Sequence, residues 1–255
     1  MLAIHAPRRI NPKTIAINWM NTAIRATGNP DKVPFNKIAG KALEVAETIY
    51  YNQDNTVRHN AQAFRTHLGY LHKEGVELGF SSLNVPFREL PCDDKTTYEL
   101  VLLSAAIAIN KQNPQRVDKV AHLDDKDAVE NWLENIWRAR HEYDTPLEQD
   151  DLLKRALNWE STSGALGYAM NDLVLRFGGT FNLAHKNFIK EICEKAHGIM
   201  IQHNLWGEDT KKYNVSYEEL PQHLKDDYVL MVMAAITGFS ENAKQDRTGC
   251  DNGSG

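Results

Sequence analysis

The chain is expected to be all-α, and three observations lead to that expectation. Apolar residues recur at helical spacing through most of its 255 residues. Period-2 alternation is scarce. The strongest breakers, GNPDKVP at 28–34 and FGGT at 177–180, fall between periodic segments rather than inside them. Hydrophobic residues make up 42% and charged residues 25%, ordinary values for a globular chain of this length with a normal core.

The elements follow in order. Residues 12–27 place Ile15, Trp19 and Ala23 on one stripe, and Pro12 suits a first helical turn. Residues 35–52 return to helix with Ile38, Leu43, Ala46, Ile49 and Tyr50 as core positions. Further helices are expected at 56–78, 96–110, 126–143, 147–159, 163–176, 183–204 and 221–238. Asp127 near the start of the 126–143 helix suits the positive end of its dipole. The stretch from 241 to 255 is polar and Gly-rich and is expected to be a flexible tail.

Net charge is −5 and the pI about 6.1. That balance argues against a strongly nucleic-acid-binding surface, so nucleic acid is not the expected partner. The longest apolar runs, 101–109 and 228–236, are too short to span a bilayer, and no membrane partner is expected. The stretch MLAIHAPRRINPK has no apolar core of signal-peptide type. Cys92, Cys193 and Cys250 lack metal-ligand spacing. A reduced, cytoplasmic setting is the simplest expectation.

The chain repeats itself at an offset of 130. Asn84/Asn214, Val85/Val215, Glu89/Glu219, Leu90/Leu220, Pro91/Pro221, Lys95/Lys225, Tyr98/Tyr228, Leu100/Leu230 and Ala105/Ala235 are identical pairs, and Phe87/Tyr217 is an aromatic match. Further upstream the same offset pairs His67 with His197. In both copies an extended segment ends at Leu-Pro and a helix follows, because proline disfavours helix in the residue before it and fits the first helical position. Asp93 and Asp94 enter the first turn of the first copy. Tyr98, Val101, Leu102, Ala105 and Ile109 then form one apolar face, as do Leu224, Tyr228, Met231, Val232, Ala235 and Phe239 in the second. Each unit therefore reads as a helix, an irregular crossing, and a helix that packs back on the first. The period is too long for a solenoid and fits two related modules with helices between them. The division is an N-terminal helical region 1–112 holding the first unit at about 58–110, connecting helices 113–182, a second unit 183–240, and the tail.

The second unit, from FIKEICEKAHGIMIQHNL at 188–205 through the loop Trp206–Tyr213 to VSYEELPQHLKDDY, resembles the RyR domain, the repeat module first named from ryanodine receptors. The first unit resembles it more weakly. Trp206–Gly207 echoes the Gly-Trp of that family, and the proline of its crossing is present as Pro86 but is replaced by Ser216. The resemblance implies a non-catalytic module, used in pairs, that binds a small ligand, a nucleotide-derived one among the candidates, and a phage or other mobile-element origin would suit it.

Catalytic constellations are incomplete. His59, His67 and His72 share an expected helix, and His122 with Asp124 and Asp125 forms HLDD, but no adjacent His-Asp pair exists for a metal-dependent phosphohydrolase. Glu44 and Glu47 would need a facing acidic pair, for which Glu191 and Glu194 are candidates, to hold magnesium as in helical nucleotide pyrophosphohydrolases. No phosphate-loop, dinucleotide-binding, nucleophile-elbow or CxxC motif occurs. No cofactor or metal is expected. The aromatic-basic run at 131–143, with Trp132, Trp137, Arg138, Arg140 and His141, offers a polyanion contact, although Trp132, Ile136 and Ala139 suit a core face.

The resulting expectation is a non-catalytic binding protein for a small anionic ligand or a protein partner. Metal-dependent nucleotide hydrolysis and a structural or assembly role, with a homo-oligomer, are the alternatives. The expected ligand site is the meeting of first helix and crossing: His197, Trp206, Tyr217 and Lys225 in the second unit, and His67, Phe87 and Lys95 in the first. An extended crossing leaves backbone N–H groups without helical partners, an aromatic offers a stacking face, and a lysine near the next helix start adds positive charge.

Overall fold

The computed structural model describes residues 11–28, 33–51, 61–110, 187–204 and 211–250. The helices expected across 113–182, with His122 and the 131–143 run, lie outside the described residues, as does Trp206. The described part is all-α, 80% helical and without strands. Its helices are α1 (Pro12–Thr27), α2 (Phe35–Tyr51), α3 (Ala61–Glu77), α4 (Cys92–Asn110), α5 (Phe188–Gln202) and α6 (Gln222–Cys250). None of them is long and apolar enough to cross a membrane.

The helix starts have local causes. The side chain of Asn11 caps α1 by accepting from Lys13 N at 2.9 Å, Pro12 follows, and Gly28 at φ 80° closes the helix by donating its N–H to Arg25 O. The start of α4 lies at Cys92, four residues ahead of the expected 96, because Lys95 N already reaches Pro91 O at 3.1 Å and Asp93 and Asp94 favour the first turn. The helix α6 corrects the expected tail: residues 241–250 are helical rather than irregular, since Ala243, Lys244, Gln245 and Arg247 favour helix and no proline interrupts them.

The centre of the core is α4. The expectation gave it one apolar face, yet every residue from Tyr98 to Ala108 is buried. The cause is its position, since α1, α2, α3 and α6 all pack on it. Each fully buried leucine there contributes about 1.5–3 kcal/mol. The expected faces of α1 and α2 are found: Ile15, Trp19 and Ala23 are buried, as are Ile38, Ala46 and Ile49, while Leu43 is partly buried.

The two helices that follow Leu-Pro, α4 and α6, pack against each other, α1 packs on both of them, and α2 packs on α4. The start of α2 meets the first unit, where Lys37 Nζ donates to Gly79 O at 3.0 Å and the Phe35 and Phe80 rings lie 6.2 Å apart. The end of α1 meets the second. Tyr217 donates to Ala26 O at 3.2 Å, and Gln222 Nε2 donates to Thr27 O at 2.7 Å.

Candidate functional site

Each crossing is held by the same three bonds. A 3-10 turn, Phe87–Glu89 or Tyr217–Glu219, lies within the irregular, extended crossing expected from sequence. Its chain turns back where Glu89 N donates to Pro86 O at 2.8 Å and Glu219 N to Ser216 O at 3.0 Å. A short turn leaves carbonyls without helical donors. A lysine ammonium one turn into the next helix supplies one: Lys95 Nζ donates to Arg88 O at 2.7 Å, and Lys225 Nζ to Glu218 O at 2.5 Å. A buried histidine on the first helix supplies another: His72 Nε2 to Val85 O at 2.8 Å, and His197 Nε2 to Val215 O at 2.9 Å. A carbonyl only accepts, so Nε2 carries the proton in both rings.

These bonds correct the pairing of histidines. His72, not His67, stands where His197 stands, because the bond spans 13 residues in the first unit and 18 in the second. The helix ends agree: Gly79 (φ 65°) and Asn204 (φ 54°) are the left-handed residues that end α3 and α5, each seven residues past its histidine. Glycine and asparagine are the residues that take this conformation at least cost. The units are thus offset by 125 residues on the first helix and by 130 beyond it. The five extra residues of the second unit lie between Asn204 and Asn214. At the helix offset His67 falls opposite Ile192; it is half-buried, and burial lowers its pKa.

The expected site residues are mostly structural. Tyr217 is 4% exposed, its hydroxyl shares its proton between Ala26 O at 3.2 Å and Lys225 O at 3.4 Å, and Cys193 lies beside it. Burial first, and then the Cys193 thiol, push the Tyr217 hydroxyl far up. Phe87 is half-buried against the rings of His72 and Tyr98 at 6.4 and 6.3 Å. The ammonium groups of Lys95 and Lys225 are engaged at the crossing carbonyls described above.

A cleft of about 450 Å³ opens between α5 and the second crossing. One wall is Glu194, His197, Gly198, Ile201 and Gln202, and the other is residues 214–218. Gly198 makes the first wall open, since a Cβ built there meets nothing within 4 Å. The opposite wall is firm: Ser216 N and Oγ both donate to Glu219 Oε2, at 3.0 and 2.8 Å, and these bonds hold the Glu219 carboxyl below its usual range. Lys190 Nζ bridges the two acids of the cleft, 3.7 Å from Glu194 Oε1 and also paired with Glu218 Oε1. The hydrogen bond with Lys190 lowers the Glu218 carboxyl, and the one with Glu218 raises the Lys190 ammonium.

Sequence reasoning placed the site at the junction that holds this cleft and named two of its lining residues, His197 and Tyr217. It did not name Gly198, Glu218 or Glu194 as ligand contacts. Their signal was helical spacing from His197 and adjacency to Tyr217. The acidic pairs considered for magnesium are apart: Glu44 and Glu47 are exposed on α2, which packs on α1, α3 and α4, whereas α5 packs on α1 and α6. Glu44 is engaged by Lys41 at 2.8 Å. Among the described residues no group of three or more His, Cys, Asp or Glu is placed to hold a metal ion. No protein-family model, curated protein or solved structure matches the chain.

Proposed function

We propose that the protein is a non-catalytic binding protein in which two RyR-like units form the scaffold and the cleft of the second unit receives a small ligand. The cleft between α5 and the crossing carries this reading. Its volume suits a small organic molecule, and it has one fixed wall and one wall left open by Gly198. The resemblance to the RyR family, whose modules are used in pairs for ligand binding, agrees with it. Native mass spectrometry of the purified chain tests it. A retained small molecule that is lost in Gly198→Trp, with the fold intact by circular dichroism, supports the proposal. Retention unaffected by Gly198→Trp places the ligand elsewhere.

Protein contact is the second reading, and one observation favours it. Leu78, Leu83 and Val85 of the first unit are 42%, 38% and 38% exposed, an uncommon concentration of apolar side chains around one helix end and loop. A homo-oligomer dispersed by Leu83→Glu would support that reading.

A further inference from the structure

The cleft's lining carries a charge opposite to the anionic preference expected from sequence. Among the described residues its acidic lining members are Glu194 and Glu218, and no described lysine or arginine lines it. The two lysines that suggested an anion belong to other positions: Lys225 is bonded to the Glu218 carbonyl, and Lys95 is in the first unit. Ile201 and Val215 add apolar surface to the lining, with Val215 40% exposed, beside the polar side chains of Gln202, Asn214 and Ser216.

Lys190 shows what the two carboxylates hold. Its ammonium sits between them although it is not part of the lining. The side chains of Lys190, Glu194 and Glu218 are 33%, 43% and 57% exposed, so the bridge is solvated and adds little to stability. An ammonium that enters along the cleft can replace that of Lys190 at small cost, because the same two carboxylates are satisfied before and after. Its apolar body would then lie on Ile201 and Val215, where burial contributes about 25 cal/mol per Å².

We propose that the cleft of the second unit binds a small amphipathic organic cation, an amine or amidine on an apolar body, with Glu194 and Glu218 taking the charge in exchange for Lys190. This inference rests on the cleft being the ligand site. It is specific to the second unit, since the positions of Glu194 and Glu218 are held in the first by Gly69 and Arg88.

The test uses the full chain and three probes: phenethylammonium, phenylacetate of similar shape and opposite charge, and adenosine monophosphate. Binding is read from the backbone amide shifts of Gly198, Val215 and Ser216. Phenethylammonium is expected to shift them saturably and the two anions are not. Glu218→Gln is expected to weaken phenethylammonium roughly fivefold, while Lys190→Met, which removes the competing ammonium, is expected to tighten it roughly fivefold. If either anion binds in the cleft as well as phenethylammonium, or if Lys190→Met weakens the cation, the charge assignment is overturned and the cleft remains the site. If no probe shifts these amides at millimolar concentration, both the assignment and the cleft as ligand site are overturned.

Discussion

The two units build one clip in two ways. In the second unit the clip histidine uses both nitrogens: Nε2 donates to Val215 O, and Nδ1 lies 3.1 Å from the Tyr228 hydroxyl. In the first unit Nε2 of His72 does the same work, but Nδ1 and the Tyr98 hydroxyl are buried without a bond between them, and Ser81 is the polar neighbour of that hydroxyl. The residue one turn on decides this. Gly75 lets the Tyr98 hydroxyl lie over the helix, where a Cβ would come within 2.5 Å of it. Met200 fills the matching place in the second unit, and Tyr228 points to the histidine instead. The rings remain edge to face in both, at 5.0 and 5.6 Å between centroids. A repeated backbone therefore does not require repeated side-chain bonding, provided that the crossing carbonyl keeps its donor.

Other differences follow the same division. Ser216 makes a capping box with Glu219, whereas Pro86 has no N–H to give and Glu89 is 3.6 Å from the neighbouring Arg88 Nε. The second unit thus has the better-bonded crossing.

The largest expected effect is at high pH. Burial pushes the Cys193 thiol of the second unit up from 9.0 to about 12, and the Tyr98 hydroxyl of the first from 10.0 to about 12. A raised folded-state pKa favours the neutral form in the native protein. The contribution is therefore complete below the unfolded pKa and is lost as pH rises through the folded one. Stability should fall from about pH 9 to pH 12, by on the order of 4 kcal/mol from Cys193 alone. Denaturant midpoints measured across this range check it. Cys193→Ala should delay the onset to about pH 10, and an unchanged onset contradicts the assignment.

Removing the clips comes next. His197→Ala should cost about 3 kcal/mol and His72→Ala about 2, because the first loses two hydrogen bonds and the second one, each with its packing. Urea unfolding measures both, and an equal or reversed order breaks the comparison. Gly75→Ala should cost about 1–3 kcal/mol, since the new Cβ meets a tyrosine ring that the core holds in place. The smallest effect sharpens the comparison most. Tyr228→Phe should cost about 1 kcal/mol by leaving His197 Nδ1 without its tyrosine partner, whereas Tyr98→Phe should cost less because its hydroxyl makes no bond to the clip histidine.

Much of this was legible in the sequence, for physical reasons that can be named. Helical spacing marked the buried stripes of α1 and α2, and the repeated Leu-Pro marked both second helices. The pairing of His67 with His197 failed because five residues inserted beyond Asn204 change the offset, and a histidine stands at the wrong offset by coincidence. Gly79 and Asn204, the two helix-ending residues, are the sequence signal that would have placed the gap. The lysines were misjudged because a carbonyl in a 3-10 turn is a backbone acceptor that a list of side chains does not show. The cleft's charge was missed because Glu218 reads as a solvated acid until α5 brings Glu194 and Lys190 beside it.

The most direct test of the shared clip is the tautomer and exchange behaviour of the two histidines, read by long-range proton–nitrogen correlation of the imidazole rings. Both His72 and His197 should carry a proton on Nε2 that is protected from exchange, because each donates to a crossing carbonyl. His67 should lack that protection. An Nδ1–H tautomer at either His72 or His197, or protection of His67 in place of His72, would contradict the account.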